Sequence, residues 1–426
     1  MNQFKLKMQS FIKLGGSTFA LQGLIQLIGM LIGFYIVRQL SIEEYAYYTV
    51  ANTVIAMMTV LSDSGISTSV YAQGGKVWTD RKSLGTIVNT GIKFRKYFSI
   101  FALIISIPIL CYLLFLQKAS FLTIFLICLA ALPLFISNLT TSIYEIVPKL
   151  HQDLKELQLN QILVAVVRLI LTGILLVIFP FTWVAVLAAG LPRGLGNIQL
   201  KKLVNKNADL SQPISESAQK ETIRIVKRTM PGAFYFAFSG QISLFILSYM
   251  GNTESTASWG ALGRFSVLFT VVSMVMGLLL IPRYARLENN RKLLLTFSHK
   301  ILSITIFFGF FIIGFVYLYS DFLLKILGNY YAGLNNELVL VMIGGLINLM
   351  AGNALAFSIR KGWIIHPIID ILINILPLII FAFLIKLDSL FNVILLGVFC
   401  SLSTFICQYL IFWYQLLKNT RGNHEL

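Results

Sequence analysis

Acidic side chains are scarce in this sequence, with 17 Asp and Glu against 34 Lys and Arg in 426 residues. Charge of either sign is scarce as well, at 12%. A soluble domain carries about 25%, so an ordinary water-facing globular protein is excluded. Cysteine is limited to Cys111, Cys128, Cys400 and Cys407. All four lie in apolar runs and none has metal-ligand spacing, so they read as buried structural thiols and no metal site is expected. Gly74-Gly75-Lys76 lacks the spacer and the following Ser/Thr of a phosphate loop. No nucleophile elbow, zinc spacing or dinucleotide fingerprint occurs, so neither an enzyme nor a bound cofactor is expected. No cleavable signal peptide is evident, because 15–37 is too long for a signal core and lacks a cleavage site.

Apolar residues are abundant instead, at 57%, with a mean hydropathy of +0.81. That implies an all-α polytopic membrane protein. About twelve runs reach spanning length at roughly 20 residues each. They are approximately 15–38, 45–72, 97–116, 120–147, 157–180, 182–200, 229–250, 257–282, 294–319, 337–359, 363–385 and 389–416.

Lys and Arg orient the spans. With the N-terminus in the cytoplasm, the inside carries Lys5, Lys7 and Lys13, the cluster from Lys76 to Lys96, and the bases around the central polar stretch. Arg283, Arg286, Arg291, Lys292, Lys300, Lys418 and Arg421 also fall inside, whereas the outside keeps only Arg38, Lys118, Lys325 and Lys386. Both termini are therefore expected in the cytoplasm. The net charge of +17 is that of basic cytoplasmic loops rather than of a nucleic-acid binder.

Asn205, Asn207, Asp209, Ser211, Gln212, Pro213, Ser215 and Ser217 mark 204–223 as a cytoplasmic linker between six-span lobes 1–203 and 224–426. A shift that places Lys13 on Lys227 also places Tyr45-Ala46 on Trp259-Gly260, a faint repeat. An even number of spans per lobe would relate the two by a pseudo-two-fold along the membrane normal.

The first two spans meet at Arg38-Gln39-Leu40-Ser41-Ile42-Glu43-Glu44-Tyr45-Ala46, a turn so short that they must form an antiparallel hairpin. Its Leu, paired acids, aromatic and small residues resemble the first hairpin of the polysaccharide transporter family. That family includes the Wzx-type lipid-linked oligosaccharide flippases of the multidrug/oligosaccharidyl-lipid/polysaccharide exporter superfamily. The resemblance implies a two-lobe carrier in a bacterial cytoplasmic (inner) membrane, serving O-antigen, lipopolysaccharide or capsule synthesis. It also implies partners: an undecaprenyl-pyrophosphate-linked glycan, the bilayer, H⁺ or Na⁺ as coupling ion, and possible association with a glycan polymerase and chain-length proteins.

Ionisable groups inside spans are costly and are functional candidates by default. Arg168 falls at mid-depth in 157–180, with Gln161 on nearly the same face. It reads as a cationic cavity group for an anionic headgroup, or as a structural arginine bonded to helix carbonyls or an acid. Arg264 lies in 257–282 beside Gly260 and Gly263 and carries the same two readings. Arg38 reads as substrate-binding or as snorkelling to the outer headgroups. Arg193, within Gly190–Gly196, reads as a positive-inside anchor in a broken helix. Gln22 and Gln26 suit sugar hydroxyls or interhelix bonding. Tyr48, Asn52, Thr59 and Asp63 form one polar stripe fit to line a water-filled path, with Asn52 as a substrate contact and Asp63 as an ion-coupling acid. His366, Asp370 and Asn374 share a face at four-residue steps, as an ion-coupling group or as an interhelical network.

Together these residues fit ion-coupled alternating access that flips the anionic lipid-linked glycan. A multidrug exporter of the same superfamily is the alternative, but cationic drugs call for acids where arginines stand. A glycan polymerase is disfavoured because the longest external loop, 320–336, is short.

Overall fold

The computed structural model describes residues 2–250, 252–285, 287, 288, 290–363 and 366–420. Arg286 and Arg421, two of the expected cytoplasmic bases, lie outside them. The described residues contain helices and helical turns and no strand. Two compact units divide the chain, Met1–Ala257 and Ser258–Leu426. The first holds α1 (Asn2–Gln39), α2 (Ile42–Asp63), α3 (Ile66–Gly74), α4 (Arg81–Leu116), α5 (Phe121–Tyr144), α6 (Ile146–His151), α7 (Leu154–Ile178), α8 (Thr182–Asn207), α9 (Glu216–Ser239) and α10 (Ile242–Tyr249). Helix α11 (Thr253–Leu262) carries the boundary. The second holds α12 (Val267–Val275), α13 (Ile281–Ala285), α14 (Arg291–Leu318), α15 (Ser320–Leu327), α16 (Asn335–Arg360), α17 (Pro367–Leu384) and α18 (Leu390–Thr420).

Among the described residues, eight helical segments are long and apolar enough to cross a membrane, and up to ten if two bent pairs each count as one span. The less apolar α8 and the shorter α17 cover the two remaining apolar runs, 182–200 and 363–385. The chain is thus a multi-pass, all-α membrane protein.

The first hairpin is held by its own polar residues. Ser41 caps α2, its Oγ accepting from the Glu44 amide at 3.3 Å, which satisfies one of the donors a helix start leaves open. Glu44 Oε2 in turn accepts from the Thr182 amide at 2.6 Å, and Thr182 Oγ1 donates to the Glu44 carbonyl at 2.5 Å. A carboxylate at a helix N-terminus complements the helix dipole, so the hairpin acid fixes where α8 begins. Tyr35 ties the other arm, donating to the Gly173 carbonyl of α7 at 2.9 Å.

The span expected over 45–72 is broken. Helices α2 and α3 meet at 47° across Ser64 (φ 39°) and Gly65 (φ 91°). The break faces α9: Thr229 Oγ1 donates to the Ser64 carbonyl at 2.8 Å. A Cβ on Gly65 would lie 2.0 Å from that same oxygen. Glycine is needed for the left-handed backbone and for the close approach at once. Below the break Thr222 Oγ1 accepts from Ser69 Oγ at 3.0 Å and from Gln73 Nε2 at 3.1 Å. These ties explain why α9 groups with the helices before it.

Helices also run further into the polar stretches than hydropathy alone suggests. Asp80 caps α4, accepting from the Lys82 amide at 3.0 Å and the Ser83 hydroxyl at 2.5 Å. The basic run expected as a loop is therefore helical from Arg81. Between α8 and α9 only Ala208–Ser215 remains, pinned to α4 by Asn89, which donates to the carbonyls of Leu210 at 2.9 Å and Gln212 at 2.8 Å. Hydrogen bonds from the Ser211 hydroxyl, the Gln212 amide group and the Ser211 N–H hold the exposed Asp209 carboxyl down at about 2. In the second unit the run 257–282 is interrupted by a 3₁₀ turn at Gly263–Ser266 and a π turn at Met276–Leu280. The expected external loop contains α15, with Asn335 Nδ2 donating to Asp321 Oδ1 at 2.8 Å.

Gly65→Ala should lower the thermal unfolding midpoint of the purified protein, by the equivalent of about 1–3 kcal/mol of strain. Adding Thr229→Ala should return only part of the loss, because the left-handed backbone persists. An unchanged melt for Gly65→Ala would contradict this account of the break.

Candidate functional site

Helix α8 packs against both α5 and α7, and small residues set the spacing. A Cβ on Gly190 would lie 2.8 Å from the backbone nitrogen of Leu134 on α5, so the two backbones are in contact there. On the α7 side Asn160 Nδ2 donates to the Gly196 carbonyl at 2.9 Å and to Gln199 Oε1 at 3.1 Å. Asn197 binds α5 through its amide, which donates to the Ser137 carbonyl at 2.8 Å, and accepts from Thr141 Oγ1 at 2.7 Å. Helix α8 runs through Pro192 without the expected break. Neighbouring helices commonly let membrane helices absorb a proline in this way.

This packing brings Arg193 of α8 and Arg168 of α7 within electrostatic reach of each other. Arg193 Nη1 donates to Asn138 Oδ1 on α5 at 2.5 Å. Its side chain is exposed. Arg168 is half-buried, and its Nε is buried with no hydrogen-bond partner. The acid that acts on Arg193 is Glu145. Its carboxylate already accepts from Lys149 Nζ at 2.7 Å and from Gln161 Nε2 at 2.8 Å. Arg193 thus feels the charge of Arg168 and of a Glu145 that Lys149 already pairs, and the Arg168 Nε remains an unfilled donor. Gln161, placed by sequence on the Arg168 face, is engaged with Glu145 rather than with Arg168.

The other candidates lie apart from this centre. Gln22 and Gln26 are half-buried on α1, and Arg38 is exposed at its end. The stripe on α2 is tied to its own helix: Asn52 Nδ2 donates to the Tyr48 carbonyl at 3.0 Å and Thr59 Oγ1 to the Ile55 carbonyl at 2.8 Å. Asp63 forms an ion pair with Arg95 of α4, which is only 3% exposed, and accepts from Ser67 Oγ at 2.5 Å. Sequence had read Arg95 as a loop base. The capping Asp80, which extends α4 backwards, was the available signal.

In the second unit Arg264 is half-buried in the 3₁₀ turn at Gly263–Ser266. Asp370 on α17 accepts from Gln408 Nε2 on α18 at 2.7 Å. Asn374 donates to the Asp370 carbonyl at 2.7 Å and accepts from Thr404 Oγ1 at 3.0 Å. His366 is exposed and caps α17, its Nδ1 accepting from the Ile368 amide at 3.4 Å. Gln408, which sequence reasoning missed, is 2% exposed and its Oε1 has no partner. An acid beside an unpaired buried carbonyl oxygen is able to take up a proton or a small cation. No cluster of His, Cys, Asp and Glu fit for a metal ion occurs among the described residues.

Removing one member of the Asp63–Arg95 pair should cost more than removing both. Asp63→Ala strands a buried guanidinium and should destabilise the protein by about 3–5 kcal/mol. Asp63→Ala with Arg95→Met should recover most of that in a double-mutant cycle of thermal melts. Additive losses would mean the two side chains are not coupled.

No family model matches the sequence, and no curated protein matches it. Solved structures do match its fold. An inward-facing multidrug resistance MATE family transporter of the MOP superfamily aligns over 94% of this chain and 96% of its own, with TM-score 0.68 and 12% identity. The outward-facing form of a transporter so described aligns over 96% and 95%, with TM-score 0.66 and 13% identity. A MOP superfamily transporter from Pyrococcus furiosus aligns over 95% of both chains, with TM-score 0.62 and 13% identity. The chain therefore has the fold of the MATE transporters of the MOP superfamily.

Proposed function

We propose that this protein is a membrane carrier that flips an anionic lipid-linked glycan, of the undecaprenyl-pyrophosphate-oligosaccharide class, across a bacterial cytoplasmic membrane. One observation carries the reading: Arg168 and Arg193 lie within reach of each other, with the Arg168 Nε buried and unfilled. Guanidinium groups pair with phosphate oxygens in a bidentate fork. A pyrophosphate supplies both the charge and the acceptors that such a pair lacks. The neighbouring amide of Asn138 suits a sugar hydroxyl. Arg264, in the second unit, is proposed as a further contact for the anion on its path. Transport runs by alternating access of the two halves, 1–203 and 224–426, joined by the linker 204–223, with both termini cytoplasmic. Asp370, with Asn374 and Gln408, is the proposed coupling site for H⁺ or Na⁺. The glycan would be an O-antigen, capsule or related repeat, handed on to a polymerase.

A multidrug exporter is the second reading, favoured by the MATE transporters of like fold. The proximity of Arg168 and Arg193 opposes it, because a cationic drug needs acids there. The Pyrococcus furiosus transporter is described as having a binding pocket of reversed polarity that suggests a different function, so the fold itself is compatible with a change of substrate charge.

Arg168→Ala and Arg193→Ala should each lower surface glycan roughly tenfold or more, the value of a lost charge-assisted bond, with protein level in the membrane unchanged. Lys at either position should keep part of the export. Normal export by the double alanine variant would remove the anionic reading and leave the multidrug one. Asp370→Asn should abolish dependence on an ion gradient while substrate still binds, and unchanged gradient dependence would make that network structural.

A further inference from the structure

Helices α4 and α5 form a hairpin closed by the short connection 117–120. Cys111 stands five residues before Leu116, the last of α4, and Cys128 seven residues after Phe121, the first of α5. The hairpin brings the two sulfurs to 3.7 Å of each other. Both side chains are half-buried, where an apolar run alone suggests an enclosed thiol. No Asp, Glu, Lys, Arg or His occurs in 97–117 or 119–144.

Two thiols in contact can lose their hydrogens and become one disulfide. The sulfurs would close from 3.7 Å to about 2.05 Å, a movement within reach of a turn of one side chain about its Cα–Cβ bond. We propose that Cys111 and Cys128 are an oxidisable dithiol, a modification site that takes a small apolar disulfide as its oxidant. Cys111, nearer its helix end, gives up its proton and attacks one sulfur of the oxidant. The S–S bond of the oxidant breaks, and one half leaves as a thiol carrying that proton. The Cys128 sulfur then attacks the Cys111 sulfur of the mixed disulfide, and the second half leaves as a thiol with the Cys128 proton. One disulfide is consumed, one is formed, and two small thiols are released. Neither the starting pair nor the product carries a charge, which suits a segment without charged partners. Cys400 and Cys407 cannot join in the same way, because seven residues of α18 separate them by about 10.5 Å along the helix axis. With both termini cytoplasmic, as proposed above, the connection 117–120 lies on the outer side, where disulfides persist.

The test uses the full-length wild-type protein in detergent micelles, reduced, freed of reductant and treated with dithiodipyridine. Remaining thiols are alkylated after denaturation, and the peptides are mapped by mass spectrometry. The expected product links Cys111 to Cys128, is two hydrogens lighter than the reduced pair, and reverts with dithiothreitol. Two molecules of thiopyridone should be released for each link, and Cys400 and Cys407 should not be linked to each other. In Cys128→Ser the reaction should stop at a mixed disulfide on Cys111, because the resolving sulfur is gone. The opposing outcome is packing contact without chemistry. Both thiols still alkylated under conditions that oxidise the same protein once denatured, or a mixed disulfide retained on Cys111 in the wild type, would overturn the proposal.

Discussion

Two positive charges close enough to act on each other, with one acid that is already engaged elsewhere, constrain the helices around them. Arg168 and Arg193 repel each other, and ionised side chains inside a bilayer are costly unless they face water or a partner. Glu145 offers little relief, because Lys149 and Gln161 already occupy its oxygens. The arrangement persists only if the space beside it admits water or an anion. An anion that visits and leaves is what a carrier needs, since a permanent acid in the same place would block the site.

The scaffold that maintains this arrangement is built from ordinary polar bonds in few places. Glu44 fixes the start of α8 through Thr182, and Gly190 lets α8 lie against α5. Asn160 and Asn197 then set the rotation of α8 against its two neighbours. Arg193 emerges towards Asn138 as a consequence. The hairpin that most resembles a flippase in sequence therefore acts structurally, by placing the helix that carries one of the two arginines.

Much of the architecture was legible because apolar runs of spanning length need little context to become helices in a membrane. Each of the twelve runs corresponds to a helix or to a chain of helical pieces. The breaks were harder to read. Ser64-Gly65 became a bend because Thr229, far along the chain, occupies the space a side chain would need. Arg168 was visible as a mid-span charge, but its partner was not. Arg193 read as an interfacial anchor from its place near the end of an apolar run, and only the packing of α7 on α8 brings the two together. Gln408 was hidden for the same reason, since its neighbour Asp370 lies on another helix. Arg95 was hidden by its charged surroundings, whose helical state depends on one capping aspartate.

The central claim is that the space beside Arg168 and Arg193 is an anion site. The most direct measurement is an anomalous difference map from crystals of the protein soaked in tungstate, a heavy oxyanion that stands in for phosphate. The account predicts a peak within hydrogen-bond reach of both guanidinium groups, lost in Arg168→Ala. Density for a cation at that position, or an empty site under tungstate concentrations that fill other surface sites, would contradict it.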